Sequence, residues 1–423
     1  MEKFTLEISF LGGTREVGRI GIAVKADKTQ VLLDYGVMMG DAPGFPMHIA
    51  PKEVDALILS HAHLDHSGAL PIFYIQDNRP LYATRLTVEL AQLLLEDFVH
   101  LSSYYLPFEY LELKYLMQSA VYTKYREKKT IGNMTLQLLD AGHIPGSAQV
   151  LLEAEGKRVL FTGDFNSAKT RLLSAADSDY GELDAVIIET TYANEDHPER
   201  MELEKNFVTE VTEIVEKGGI ALVPAFSIGR SQEIACILAA HHFEYPVTMD
   251  GMTRAANRVM MDNTEFMRDP RLFMDAVHGA MWVDGWRDRR IAAKKPGVVI
   301  SPAGMLKGGP AAFYISKLGN KAHNAVFLVS YQIPGTPGSE LLKKGACVID
   351  GKMCKIKARV RHFDFSSHSG ISQLQEVVKN LRGNPTVFTV HGAEGNCERF
   401  AKWAKTEAGL DAIAPNAGDK LTV

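Results

Sequence analysis

Short apolar runs alternate with turn signals through roughly the first 190 positions of the chain. Leu6-Glu7-Ile8-Ser9-Phe10-Leu11 ends at Gly12-Gly13, Val31-Leu32-Leu33 at Asp34, and Ala56-Leu57-Ile58-Leu59 at Ser60-His61. Val159-Leu160-Phe161 ends near Gly163-Asp164, and Ala185-Val186-Ile187-Ile188 at Glu189. Each run is short, branched or aromatic, and bounded by breakers, which predicts a buried strand. Most of them stop at a carboxylate or a histidine, and strand ends are where sheets present functional side chains. From Leu86 to about Glu127 the spacing lengthens to a helical period with aromatics, as for helices packed outside a sheet. After Tyr192 the character changes. Glu202–Lys217 reads as an amphipathic helix, Gly218–Pro224 as a strand running into a turn, and Gln232–His242 as another helix. This alternation continues to about Phe313 and predicts a second α/β unit. In Lys352–Arg361, Lys355, Lys357, Arg359 and Arg361 alternate with Ile356, Ala358 and Val360. A strand there carries a basic face, either a charge-protected edge or a polyanion-binding surface. No internal repeat or low-complexity tract interrupts the pattern.

The strongest chemical signal follows one of the predicted strands. His61-Ala62-His63-Leu64-Asp65-His66 packs four donor side chains into six residues before Ser67-Gly68. Positions 61 and 63 of an extended loop point the same way, while Asp65 and His66 lie a turn further on. Imidazole and carboxylate suit Zn²⁺ or Mn²⁺, so the loop points to a binuclear site. One loop cannot supply every donor. His143 in Ala141-Gly142-His143, Asp164 in Thr162-Gly163-Asp164 and His391 in Val390-His391-Gly392 stand at other strand ends and are the further candidates.

Composition narrows the setting. A chain of 423 residues exceeds one ordinary core and predicts two or three domains. Hydrophobic residues at 46% and charged residues at 23% exclude a disordered chain. No apolar run reaches the ~18 residues of a membrane span. The start, Met1-Glu2-Lys3-Phe4-Thr5-Leu6, lacks the pattern of an export signal. Cys236, Cys347, Cys354 and Cys397 stand far apart with no Cys-x-x-Cys pair, which argues against a disulfide scaffold and for a reducing cytoplasm. A net charge of −5 gives no global basic field, so any polyanion must be held locally, with bound cations offsetting the ligand carboxylates.

Asp34 at a strand end, the His-x-His-x-Asp-His loop, Gly142-His143 and Gly163-Asp164 together resemble the metallo-β-lactamase fold. Glu189-Thr190-Thr191-Tyr192, Phe365-Ser366-Ser367-His368-Ser369-Gly370 and Val390-His391-Gly392 are similar to motifs A, B and C of its β-CASP branch. Arg15–Arg19, Pro224–Arg230 and Ser301-Pro302-Ala303-Gly304-Met305 also resemble segments of the endonuclease subunit of cleavage and polyadenylation specificity factor. The likeness is to the short archaeal form of that nuclease, without KH domains and without the C-terminal extension of the related RNase J. One departure is that His391-Gly392 continues as Ala393-Glu394, with no glutamate directly after the glycine.

The resemblance implies an α/β fold, an αββα sandwich with an inserted β-CASP domain. Residues 1–192 and 361–423 would form the sandwich and 193–360 the insert. It implies two Zn²⁺, with Mn²⁺ as the other fit: His61, His63 and His143 hold one, Asp65, His66 and His391 the other, and Asp164 lies between them. Asp34 would orient a ligand histidine. Asp65, Glu189 and His368 are the expected catalytic groups, with a proton for the leaving ribose oxygen from Glu189 or His368. Arg230, Ser301, Gly304 and Lys307 are candidate phosphate contacts in the insert. The expected activity is hydrolysis of single-stranded RNA by an endonuclease, with 5′–3′ exonuclease action also expected. The implied setting is a cytoplasmic homodimer associated with RNA-processing or exosome-type complexes and no membrane. Two alternatives stay open: a DNA-directed nuclease of the same branch, and a catalytically silent scaffold of an RNA-processing complex. A thioesterase- or lactamase-like hydrolase is disfavoured, because the large insert and motifs A and B have no use there.

Overall fold

The computed structural model describes residues 6–40, 43–76, 78–102, 105–333, 335–349 and 351–423; Met1–Thr5, read above for an export signal, lie outside them. The chain forms two compact units. One comprises Met1–Lys169, Ala175–Asp196 and Ser367–Val423, the other Thr170–Ser174 and His197–Ser366.

The first unit is built on two seven-stranded sheets. In one, β1 (Leu6–Gly12), β2 (Gly21–Ala26), β3 (Thr29–Tyr35), β4 (Ala56–Ile58), β5 (Leu81–Ala83) and β6 (Ala120–Tyr122) lie side by side, with β22 (Lys420–Thr422) outside β1. The other runs from β7 (Lys128–Ile131) through β8 (Met134–Asp140), β9 (Ala148–Ala154), β10 (Lys157–Phe161) and β11 (Ala185–Glu189) to β20 (Thr386–Val390) and β21 (Ala412–Ile413). β10, β11, β20 and β21 are parallel. Alternation decides the layers. Leu6, Ile8 and Phe10 of β1 point inward to meet Leu136, Leu138, Val150, Leu152, Phe161, Ile187 and Phe388 from the facing sheet. The rings of Phe10 and Phe388 lie 5.4 Å apart, centre to centre. Their intervening neighbours, such as Leu151, Leu160, Val186 and Ile188, face the opposite way and pack with Leu374, Val378, Phe400 and Ala404. Those four belong to helices Ile371–Lys379 and Glu394–Thr406. This two-faced burial explains why the strands read as unbroken apolar runs.

The stretch 86–127 departs from a purely helical reading. Helices Arg85–Leu101 and Tyr110–Gln118 form, the first capped by the Thr84 side chain accepting from Thr87 N. The chain then enters β6, which pairs in parallel with β5. Ala120-Val121-Tyr122 is too short to carry a periodicity of its own and gains strand character from its neighbour.

The second unit carries a six-stranded parallel sheet, ordered β14 (Met281–Trp282), β13 (Val247–Met249), β15 (Gly297–Ser301), β12 (Ile220–Pro224), β16 (Ala325–Leu328) and β19 (Arg359–His362). Its core includes Leu222, Val299, Val326, Leu328, Tyr314 and Ile315. The helices read at Glu202–Lys217 and Gln232–His242 occur as Arg200–Glu216 and Arg230–Ala240. The alternating basic segment is not one strand. β18 (Lys352–Lys355) pairs with β17 (Ala346–Ile349) in a separate two-stranded ribbon, and β19 begins only at Arg359. Nor is its face free: Arg361 Nη2 donates to Glu210 Oε1 at 2.7 Å, and Arg359 lies 3.4 Å from Glu210 and Glu213. Helix Arg200–Glu216 sets these carboxylates against the strand and neutralises it. β17 and β18 also bring Cys347 opposite Cys354, although spacing alone kept all the cysteines apart. Among the described residues, no helix is long and apolar enough to cross a membrane.

Candidate metal centre

Loops at strand ends from both sheets of the first unit converge on one cluster. His61 follows β4, and His63 stands at the N-cap of the single turn Leu64–Ser67, which carries Asp65 and His66. Gly36 makes this placement possible, because a Cβ there would lie 1.7 Å from the Asp65 carbonyl oxygen. The close approach is used: Ile20 N donates to Asp65 O and Val37 N to Leu64 O. His143 follows β8, Asp164 follows β10, and His391 follows β20. Gly163, with φ +52°, sets the turn before Asp164 and lies against Ser60, leaving no room for a side chain. Asp34 and His391 also hold left-handed backbone, at φ 54° and 47°. Such strain in non-glycine residues persists where the surroundings over-determine a position, as at functional sites.

The donor atoms meet in overlapping groups whose members lie within 4.8 Å of one another. In the first, His63 Nδ1 lies 3.2 Å from His61 Nε2 and 3.3 Å from His143 Nε2, and Asp164 Oδ2 is 3.6 Å from His61 Nε2. In the second, His66 Nε2 is 3.3 Å and His391 Nδ1 3.2 Å from Asp164 Oδ1. His391 Nε2 lies 3.4 Å from Asp65 Oδ2. Asp164 belongs to both groups. His61, Asp65 and His66 form a further one, and Asp164, Glu189 and His368 another.

His61, His66, His143 and His391 also have partners outside the cluster. Asp34, fully buried, accepts from Ser60 N at 2.7 Å and Ser60 Oγ at 2.6 Å, and its Oδ2 accepts from His66 Nδ1 at 2.7 Å. That contact aims His66 Nε2 at the cluster. His143 Nδ1 lies 3.0 Å from the Ser367 carbonyl, His61 Nδ1 3.1 Å from Ser60 Oγ and His391 Nδ1 3.2 Å from Thr191 Oγ1. A partner on the outer nitrogen of this kind orients a metal-ligating imidazole. Ser60 and Thr191 escaped the sequence reading. Their signal was position alone, each next to a motif residue.

Burial lowers the basicity of His61, His63 and His143, the neighbouring imidazoles adding to it, so these three rings offer neutral lone pairs. Burial acts most strongly, against a proton on His66 and His391, but the carboxylates together outweigh it, Asp164 with Asp34 at His66 and Asp164 with Asp65 at His391. Burial pushes the Asp65 and Asp164 carboxyls up, and the adjacent histidines draw both well below the usual carboxylate range. Three buried atoms, His66 Nε2, His391 Nε2 and Asp164 Oδ1, still make no hydrogen bond. Buried polar atoms are rarely left so. Converging imidazole and carboxylate donors with unmet capacity fit a divalent cation.

Glu189 is buried at the end of β11. Its Oε1 accepts from Phe165 N at 3.0 Å and lies 2.8 Å from His368 Nδ1, and its Oε2 accepts from Thr191 N at 3.3 Å. Arg230, Ser301, Gly304 and Lys307 all belong to the second unit. There Arg230 starts a helix and is 8% exposed, the Ser301 hydroxyl donates to Pro302 O, and Lys307 is exposed.

Three family models match in chain order: the metallo-beta-lactamase superfamily over residues 22–183, the Beta-Casp domain over 231–341 and the Zn-dependent metallo-hydrolase RNA specificity domain over 353–415. RNase aCSPSF2 of Saccharolobus solfataricus is 41% identical over 420 residues, which cover 98% of this chain and 85% of that protein. The chain belongs to the β-CASP branch of the metallo-β-lactamase superfamily. Another β-CASP relative, Probable RNase MJ4 of Methanocaldococcus jannaschii, is 34% identical over 99% of this chain and the whole of its own length. Transcription termination factor FttA of Pyrococcus abyssi is 31% identical over 98% of this chain and 71% of itself. A solved structure described as a protein of unknown function from Enterococcus faecalis V583 shares the fold with a TM-score of 0.61 at 14% identity, over 99% of this chain and all of that one. The cluster of histidines and aspartates, which could hold a metal, thus lies in the two-sheet unit of a chain from a metallo-hydrolase family.

Proposed function

We propose that this protein is a metal-dependent ribonuclease that hydrolyses phosphodiester bonds of single-stranded RNA internally, with 5′–3′ trimming as a second activity. One observation carries the reading: seven donors from four loops meet in overlapping groups while three of their buried atoms make no hydrogen bond. His61, His63 and His143 would hold one Zn²⁺, Asp65, His66 and His391 a second, and Asp164 would serve both, Mn²⁺ being the alternative ion. When bound, such ions supply a nucleophile from water at neutral pH and offset the charge growing on phosphoryl oxygens. The relatives named RNase support RNA as the substrate.

The side chains have distinct tasks. Asp65, whose carboxyl stays ionised, orients the attacking water. Glu189 is engaged by two backbone N–H groups and by His368, so it acts as a positioning residue that keeps the His368 ring fixed. His368, with its outer nitrogen tied, is the group that hands a proton to the leaving ribose oxygen. Arg230, Ser301, Gly304 and Lys307 supply donors to non-bridging oxygens, with the β-CASP domain assigned to 193–360 and the sandwich to 1–192 and 361–423. Homodimerisation, cytoplasmic location and a place in RNA-processing or exosome-type complexes accompany this reading.

Circular and 5′-labelled linear single-stranded RNAs, incubated with the Zn²⁺- or Mn²⁺-loaded protein, test it. Opening of circles and internal cuts in linear RNA are expected. Intact circles together with intact linear RNA refute the proposal.

A further inference from the structure

Six residues separate Cys347 from Cys354 in sequence, and the fold places them face to face. β17 and β18 pair antiparallel with Cys347 directly across from Cys354 and Val348 across from Met353. Directly opposed residues in such a ladder have Cα atoms about 4.5–5.5 Å apart and side chains on the same face. A disulfide spans Cα separations of about 4.4–6.8 Å, a range that includes directly opposed residues of such a ladder. The shared face is the inner one. Cys347 is buried and Cys354 half-buried against one apolar cluster with Leu341 and Ile349, whereas Val348 and Met353 on the outer face are 48% and 68% exposed. Both thiols are free. The ribbon also has use for a staple, because among the described residues β17 and β18 pair only with each other and a lone two-stranded hairpin is marginal.

We propose that Cys347 and Cys354 are a dithiol–disulfide modification site, closing reversibly to a cross-strand disulfide that locks this hairpin. Burial, with Cys354 close by, pushes the Cys347 thiol up to about 11, so the more accessible Cys354 reacts first. With a small-molecule disulfide as oxidant, the Cys354 sulfur attacks one of its sulfurs, forming a mixed disulfide and releasing one thiol. The Cys347 sulfur then attacks Cys354, forming the protein S–S bond and releasing the second thiol. Two protein S–H bonds and one small-molecule S–S bond are consumed. The protein loses two electrons, the small molecule gains them, and the two protons leave on the released thiols.

The site is independent of the ribonuclease reading. Native full-length protein is incubated with oxidised glutathione, without denaturant, and its free thiols are counted before peptide mapping. Two of the four thiols should disappear. A non-reduced peptide should join 347 to 354, and dithiothreitol should restore the original count. Cys347→Ser should stop at a glutathione adduct on Cys354. If that variant fails to fold, Cys354→Ser, at the half-buried position, should abolish the closure instead. Four persistent thiols, a stable adduct on wild-type Cys354, or a bridge to Cys236 or Cys397 would each overturn the proposal.

Discussion

Two buried clusters of charged and imidazole groups, one in each compact unit, are built from similar residues and end differently. In the second unit Glu204 accepts from Arg171 Nε at 2.7 Å and Arg200 Nε at 3.1 Å and lies 3.1 Å from His241 Nε2. Its neighbour Glu233 accepts from Arg171 N, Leu172 N and the Arg200 guanidinium. Cations of the chain itself answer these carboxylates, and the network fastens Thr170–Ser174 to its unit. In the first unit, no arginine or lysine answers Asp164 and Asp65 among the contacts described, histidines face them, and three buried atoms of the cluster make no hydrogen bond. Arginine cannot give up its proton and completes a network internally. Histidine can surrender a lone pair, so a histidine–carboxylate cluster is completed from outside. The choice of base separates a structural clamp from a cluster that could hold a cation.

Replacing a donor should hurt the open cluster most in activity. His63→Ala is expected to reduce cleavage of a labelled RNA oligomer by roughly 10³-fold or more and lower the bound metal measured by elemental analysis. Undiminished cutting would erase the distinction drawn here. In the closed cluster the damage should be to stability: Glu204→Ala strands the Arg171 guanidinium, leaves Arg200 only Glu233, and is expected to cost about 3 kcal/mol in denaturant unfolding. Asp34→Asn tests the support behind His66. Metal affinity should fall about 10–100-fold with little change in the fold, read by competition with a chelator dye.

The smallest effect concerns Asp140. Burial pushes its carboxyl up to about 6, the Gly142 N–H opposing and Asp177 adding to the rise. Between about pH 4 and 6 the folded protein therefore holds a proton that the unfolded chain has released, and stability falls as pH rises through that window. Asp140→Asn keeps the acceptor for Gly142 N and removes the charge. Thermal unfolding at pH 7 should show a gain of about 1 kcal/mol that vanishes below about pH 4.

Much of this site was legible in the sequence because its donors are punctuated. His61–His66, His143, Asp164 and His391 each follow an apolar run and sit beside a glycine or another donor, so strand-end placement and chemistry could be read together. The family motifs tied Glu189 to His368 in advance. Their direct contact at 2.8 Å, and the division of labour it suggests, needed coordinates. Ser60 and Thr191 were invisible, because a hydroxyl has no spacing that marks it as a support. The basic alternation over Lys352–Arg361 misled for a similar reason: period two reports which face a side chain takes but not what waits there. Glu210 and Glu213, far upstream, decided that. β6 shows the same limit, its three residues borrowing their conformation from β5.

β20 carries His391, and it is inserted between β11 and β21 instead of being added at a sheet edge. His368 and the Ser367 carbonyl behind His143 also come from the closing stretch of the chain. On the proposed reading, the His61–His66 loop by itself therefore lacks a ligand, a ring support and the proton donor until residues 367–391 are in place. Cleavage then waits for β20 to enter between its two neighbours, which keeps a partly folded molecule inert toward RNA.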